Sequence, residues 1–151
     1  MRRFVLDTGV LGAYLVDDPI WKKMVADHRL LEPDVQLIAS IVSHGELISI
    51  ALRNNWASEK CKKLEGILED MYVADINHGD PDLIEAYAKV DTFSYGALRS
   101  KPLPSGAKKM GKNDLWIAAT AAVVNATLLT MDGDYDHLNG QFITVAKYPR
   151  K

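Results

Sequence analysis

Four acidic positions in this chain have the side chains and the setting for metal-assisted hydrolysis: Asp7, Glu46, Asp114 and Asp132. Asp7 follows the continuous apolar run Phe4-Val5-Leu6. Such a run reads as a strand covered on both faces of a parallel sheet, and its carboxyl end is where sites form in open α/β sheets. Glu46 lies in Ser43-His44-Gly45-Glu46, one turn into a helix, and Asp114 lies in Gly111-Lys112-Asn113-Asp114, at the opening of another. Asp132, Asp134 and Asp136 alternate after the apolar stretch Thr127–Thr130, and each competes for one place at the site. Every one of these acids also has a local structural reading. Asp7 can cap the helix that follows, Ser43 and Glu46 have the spacing of a capping box, and an acid in a first turn gains ~0.3–1 kcal/mol from the helix dipole.

Carboxylates gathered at one sheet edge repel each other and raise each other's pKa. A hard divalent cation, Mg2+ or Mn2+, resolves that repulsion, because it takes carboxylate and water oxygens in octahedral geometry. One or two such ions activate a water and stabilise the leaving oxygen of a phosphodiester, so the protein need supply no nucleophile. None is offered: there is no Gly-x-Ser-x-Gly, and Cys61 sits in a Lys-rich helix without a His partner. Other motifs fail on inspection. Asp132-Gly133-Asp134-Tyr135-Asp136 starts like a calcium loop, but His137 stands where the Gly belongs and Ile143 where the closing Glu belongs. Leu6-Asp7-Thr8-Gly9 lacks the second Asp of a haloacid-dehalogenase-type phosphatase, and no P-loop or Gly-x-Gly-x-x-Gly is present. His28, His44, His78 and His137 show no metal-ligand spacing. His44 and His137 are within reach of the site but are expected at the surface or in caps.

The elements that must position the acids alternate. Strands are predicted at 3–6, 35–40, 72–76, 127–130 and 142–146. Helices are predicted from 10 to 16, from 19 to about 31 behind the cap-then-proline pair Asp18-Pro19, and from Ser43 to 54–55. Further helices run from Ser58 to about 70, from 83 to about 90 or on to 99, and from 115 to 124 with Asn113 as cap. Residues 132–138 read as a polar turn or single helical turn. Alternation of this kind predicts βαβ units and a mainly parallel sheet with helices on both faces. Right-handed crossovers then bring the strand-to-helix junctions, and with them Asp7, Glu46 and Asp132, to one edge, with the Asp114 helix pointing back at it.

The chain's 151 residues suit a single domain, and neither the net charge of −2 nor the 48% hydrophobic content marks it as a nucleic-acid binder or excludes that. One cysteine permits neither an internal disulfide nor a Cys-rich zinc site, which with the early Asp7 argues for the cytoplasm. Leu115–Leu129, the longest apolar region, is too short to cross a membrane. Leu11, Tyr14, Leu15, Ile20 and Trp21 offer an apolar surface to a dimer, though core packing is the expected fate of most.

Taken in chain order, four stretches resemble the PIN domain, and within it the VapC-type ribonuclease toxins of toxin–antitoxin pairs. They are Phe4-Val5-Leu6-Asp7-Thr8, Ser43-x-x-Glu46-Leu47, Asn113-Asp114-Leu115-Trp116-Ile117-Ala118-Ala119-Thr120-Ala121 and Leu129-Thr130-x-Asp132-x-Asp134-Tyr135. The resemblance covers nearly the whole chain and is most specific in the third stretch. It implies a single PIN-like domain over 1–151, an α/β/α three-layer sandwich with a mainly parallel central sheet. It also implies a Mg2+- or Mn2+-dependent endoribonuclease, often a homodimer bound to a small antitoxin. Carried over by position, Asp7, Glu46 and Asp114 would be the catalytic metal-binding acids, with Asp132 as the fourth. Thr8 and Thr130 would support them, with Asn113, Asp134 and Asp136 alongside.

The stretch from Phe93 to Gly111 is longer than a minimal toxin needs. With the adjoining Lys112 it carries Arg99, Lys101, Lys108 and Lys109, and from Arg99 onward it holds no acid. This predicts a basic flap beside the acids that contacts RNA phosphates, with Tyr95 stacking on an unpaired base; the alternative is a solvated loop. The function expected is hydrolysis of RNA by a metal-activated water, as a toxin. The competing readings are an RNA-processing nuclease without antitoxin, a catalytically silent RNA-binding module, and a different metal-dependent phosphate enzyme such as a phosphatase.

Overall fold

A computed structural model of the chain describes residues 1–150. Five strands form one sheet: β1 (Arg2–Leu6), β2 (Val35–Ser40), β3 (Tyr72–Ala74), β4 (Thr127–Thr130) and β5 (Thr144–Lys147). Their order is β3-β2-β1-β4-β5 and all pairings are parallel. The expected α/β/α sandwich is thus present, with a fully parallel sheet. β1 is central. Phe4 lies opposite both Leu37 and Thr127, and Leu6 opposite Leu129. The chain adds β2 and β3 on one side of β1, then crosses to add β4 and β5 on the other. The strand order therefore reverses between β1 and β4, which makes their carboxyl ends the crevice where a parallel sheet offers a site.

Side-chain alternation along β1 splits the core into two layers. Phe4 and Leu6 pack with α1 (Thr8–Leu15), α2 (Pro19–His28) and α4 (Ser58–Glu69) through Leu11, Leu15, Met24 and Leu64. Val5 faces the opposite layer, where α5 (Pro81–Ser94) and α6 (Lys112–Val123) supply Val90, Phe93, Ile117 and Ala118. The remaining helix, α3 (Ile41–Arg53), anchors in the first layer through Leu47. Leu11, Leu15 and Trp21 are within 5% of full burial, and Tyr14 stacks on Trp21 at 4.3 Å, so this group of apolar residues serves the core. No helix of the described residues is long and apolar enough to cross a membrane.

Several predicted boundaries move, each for a local reason. α2 stops at His28 because Arg29 takes the left-handed conformation, at φ 53°. α3 begins at Ile41, capped by Ser40, whose hydroxyl accepts from the Val42 N–H at 3.1 Å. Ser43 is therefore inside the helix and no capping box forms. β3 is shorter than predicted, since the Asp75 carboxylate turns back to the Ile76 N–H at 2.8 Å. α5 runs past Val90 to Ser94 and stops short of Arg99, where Gly96 sits at φ 74°. α6 starts at Lys112 with Gly111, not Asn113, at the cap. Phe142 packs against Phe93 at 5.2 Å, so β5 pairs only from Thr144.

Candidate active site

The acids predicted from sequence converge on one open cavity of about 420 Å3, lined by Asp7, Thr8, Gly9, Glu46, Asp114, Met131, Asp132, Gly133 and Arg150. Each arrives from a different element. Asp7 ends β1 and is only 8% exposed. One carboxylate oxygen accepts from the Thr8 N–H at 2.8 Å, so Asp7 does cap α1, and the other accepts from the Thr130 hydroxyl at 2.8 Å. The capping and site readings of Asp7 are both realised, because a carboxylate has four lone-pair directions and the cap uses one.

Thr130 ends β4, fully buried, and does two things at once. It donates to Asp7 and accepts the Asp132 N–H at 3.0 Å, which ties the turn after β4 to the end of β1. Asp132 then caps the 3-10 turn Gly133–Leu138, accepting from the Asp134 N–H at 3.1 Å. Of the three alternating acids, Asp132 is the one at the cavity. Asp136 points elsewhere, into an ion pair with Lys147 at 2.7 Å, and Asp134 stands exposed beyond the lining.

Glu46 is fixed from β1's side. Its Oε1 is 3.0 Å from the Thr8 hydroxyl, which also lies 2.9 Å from the buried Ser43 hydroxyl. Thr8 has one proton, so it donates to the ionised Glu46 and accepts from Ser43. Glu46 is free for this because Ser40, and not Ser43, caps the helix. Asp114, in the first turn of α6, accepts from the phenol of Tyr135 at 2.9 Å. That phenol is fully buried and also lies 3.4 Å from Asp7 Oδ1. One proton thus faces two carboxylates and serves the nearer one.

The electrostatics follow from this crowding. Burial raises the Asp7 pKa, and Asp132 and Glu46 add repulsion against the lowering effect of the Thr130 and Thr8 bonds. Asp114 is pushed from 3.8 up to about 6, chiefly by burial and then by Asp7, Asp134 and Asp132, although the Tyr135 bond opposes this. Burial between two carboxylates raises the Tyr135 phenol far above its ordinary range, so it stays protonated and remains a donor. Among the described residues none of the acids has a basic partner inside the pocket; Arg150 lines it but pairs with Asp18, at 3.3 Å.

The donor set is oxygen-only and carboxylate-rich, open to water, and charged in excess of what its hydrogen bonds relieve. That chemistry fits a hard divalent cation. In the rotamers present, no three His, Cys, Asp or Glu side chains among the described residues are already grouped around one ion position.

Tyr135 and Ser43 carry site geometry that the sequence did not announce. An aromatic directly after Asp134 and a serine in a helix have ordinary core and cap uses, so only the fold distinguishes them. Asn113 falls beside the acid pocket, lining a second concavity that it shares with Glu46. None of Arg99, Lys101, Lys108, Lys109 or Lys112 lines the acid pocket. Lys101 lies over the Phe142 ring at 5.6 Å, and the Lys108 N–H donates to the Ser94 carbonyl. His137 also turns from the pocket: it is half-buried, stacked on Phe93, with Nε2 at 2.8 Å from the Ser94 hydroxyl. Burial, with Lys108 nearby, lowers its pKa.

Comparison with known proteins agrees with this architecture. Solved structures of the same fold include VapBC-1 from nontypeable Haemophilus influenzae, at 22% identity over 96% of this chain and 97% of that chain, TM-score 0.70. VapBC2 from Rickettsia felis, bound to a promoter DNA fragment, matches at 21% identity over 97% and 98%, TM-score 0.67. VapBC-5 from Mycobacterium tuberculosis matches at 24% identity over 98% and 100%, TM-score 0.63. Among curated proteins the sequence finds no match. The PIN domain pattern matches residues 4–141, a span that holds every acid of the pocket, and the chain belongs to the PIN domain family.

Proposed function

We propose that the chain is a divalent-metal-dependent endoribonuclease, acting as the toxin of a toxin–antitoxin pair. PIN domains are generally nucleases, and several structures of the same fold are VapBC complexes, which supports an antitoxin partner here. The observation that carries the reading is Asp7. It is a nearly buried carboxylate at the switch point of the sheet, held by two hydrogen bonds, with a raised pKa and no basic partner among the described residues. A buried charge of this kind is costly without a counterion, so its retention calls for a cation from outside.

Asp7, Glu46, Asp114 and Asp132 would hold that ion. Bound Mg2+ or Mn2+ supplies Lewis acidity toward a phosphodiester and lowers the pKa of water. The protein's own part is orientation. Thr130 and the Thr8 N–H fix Asp7, Thr8 turns Glu46 inward, and Tyr135 fixes Asp114. In a metal site such outer hydrogen bonds set the angle and basicity of each carboxylate. Water reaches the pocket freely because it is open on the Asp132 side, where that residue is exposed.

Incubation with a structured RNA mixture tests the reading. We expect cutting in Mn2+, none in EDTA, and none from Asp114→Asn. Cutting that survives EDTA or the substitution overturns the assignment. A nuclease of the same chemistry without an antitoxin is separated by the gene neighbourhood, where a small adjacent reading frame marks a toxin.

A further inference from the structure

We infer that the RNA strand lies in a two-part trough across the acids, with one phosphate on Arg150 and another on Arg53. This rests on the nuclease reading above and adds the track the substrate follows. The acid pocket, about 420 Å3, shares Glu46 with a second concavity of about 440 Å3 that continues along α3 past Gly45, Ser49 and Arg53 to Asn113. Among the described residues each part has one cation in its lining, Arg150 in the first and Arg53 in the second. Carboxylates gathered where the two parts meet, with a guanidinium in each part, is the distribution a polyanion requires. The acids repel every phosphate except the one neutralised at the metal, so the neighbouring phosphates need cations of their own.

Arg150 is placed for this. It comes from the segment after β5, fixed by the Tyr148 N–H donating to the Thr130 carbonyl at 2.8 Å and the Tyr148 phenol donating to Asp27 at 2.8 Å. Its Nη1 meets Asp18 Oδ2, the cap of α2, and its other N–H donors have no partner among the described residues. The side chain is 58% exposed and forms no ion pair with the pocket acids although it lines their cavity. A guanidinium held by one acid with donors to spare is suited to a bidentate phosphate contact. Arg53, in the last turn of α3, is exposed and has no ion pair among the described residues. The lysines of the 99–112 segment line neither part of the trough.

The test is fluorescence anisotropy of a labelled, mixed-sequence single-stranded RNA on the full chain. Ca2+ replaces Mg2+ or Mn2+ to hold off cleavage, and KCl runs from about 50 to 200 mM. Parallel cleavage assays use Mn2+. Arg150→Gln and Arg53→Gln are each expected to weaken binding roughly fivefold or more and to lower the salt slope by about 0.7, the value for one phosphate contact on a single strand. Both are expected to raise KM with a smaller change in kcat, while Lys109→Gln leaves affinity and slope unchanged. Thermal unfolding checks that each variant folds. Unchanged affinity and slope in both arginine variants, or an equal loss in Lys109→Gln, overturns the trough. Wild-type protein that binds RNA with this arginine dependence but never cuts it overturns the nuclease reading and leaves the trough standing. Wild-type protein that binds no RNA overturns both.

Discussion

The two edges of the sheet treat the same side chain in opposite ways. Beside the amino end of β1, Asp34 takes a two-pronged pairing from Arg2, at 2.9 and 3.1 Å, and its pKa is lowered by that bond. Asp27 on α2 is likewise lowered, by bonds from Lys23 and Tyr148. At the carboxyl end of β1 and the first turn of α6, Asp7 and Asp114 are raised, by burial first and then by neighbouring carboxylates. Their bonds come from Thr130, Thr8 and Tyr135, which are neutral donors that orient a carboxylate without cancelling its charge. One edge is electrostatically complete. The other is left short of positive charge, and that shortage is what a bound divalent cation would fill.

Removing the central acid should break this contrast most sharply. Asp7→Asn is expected to abolish RNA cleavage while the fold persists, because Asn keeps the shape, its amide oxygen can still accept from the Thr8 N–H and its amide NH2 can donate to the Thr130 hydroxyl; full activity in that variant would sink the assignment. Next in size is the metal-free stability profile. Between 3.8 and about 6 the folded chain holds a proton on Asp114 that the unfolded chain has released. Unfolded protein then binds fewer protons, so stability falls as pH rises through this window and stays lower above it. Discounted for partial exposure, the loss is about 1–2 kcal/mol. Asp114→Asn should flatten the profile and, at neutral pH without metal, raise Tm by about 2–8 °C. A melting series from pH 4 to about 8 in EDTA reads this, and an unchanged slope in the variant contradicts it.

Tyr135→Phe sharpens the comparison from the neutral-donor side. The ring keeps filling the core, but Asp114 loses its one hydrogen bond. Mn2+ affinity by calorimetry is expected to fall about 10–100-fold, as for other supports of a metal ligand. Unaltered affinity would mean that Tyr135 serves packing alone. The smallest effect belongs to the completed edge. Asp34→Asn breaks an exposed pair, so cleavage and metal binding should not change and Tm should move less than for any variant above. A loss of activity there would show that the two edges are not separate.

Much of this was legible in the sequence for one reason: strand and helix signals are local. The run Phe4-Val5-Leu6 before Asp7, the Asp18-Pro19 and Asp80-Pro81 restarts, and Thr127–Thr130 before the acids each state their own element. Alternation of those elements implies the parallel sheet and the shared edge. That acids follow β1 and β4, open α6 and lie near one edge is thus a property of the chain read in one dimension.

Other features depended on distances between parts of the chain far apart in sequence. Ser43-x-x-Glu46 reads equally well as a capping box, and only the packing of α3 on α1 gives Glu46 to Thr8, 38 positions away. Asp132, Asp134 and Asp136 are indistinguishable by spacing, and Lys147, on the neighbouring β5, removes Asp136. Tyr135 looks like any core aromatic until its phenol falls between Asp7 and Asp114. The lysine-rich 99–112 segment has the composition of an RNA contact, yet among the described residues the cations that line the acid trough are Arg53 and Arg150. Residue type and local period are written along the chain and settle which groups exist and on which elements. Which of them share a cavity, and which proton serves which carboxylate, is settled by side-chain packing across the β1–β4 junction, where no local pattern reaches.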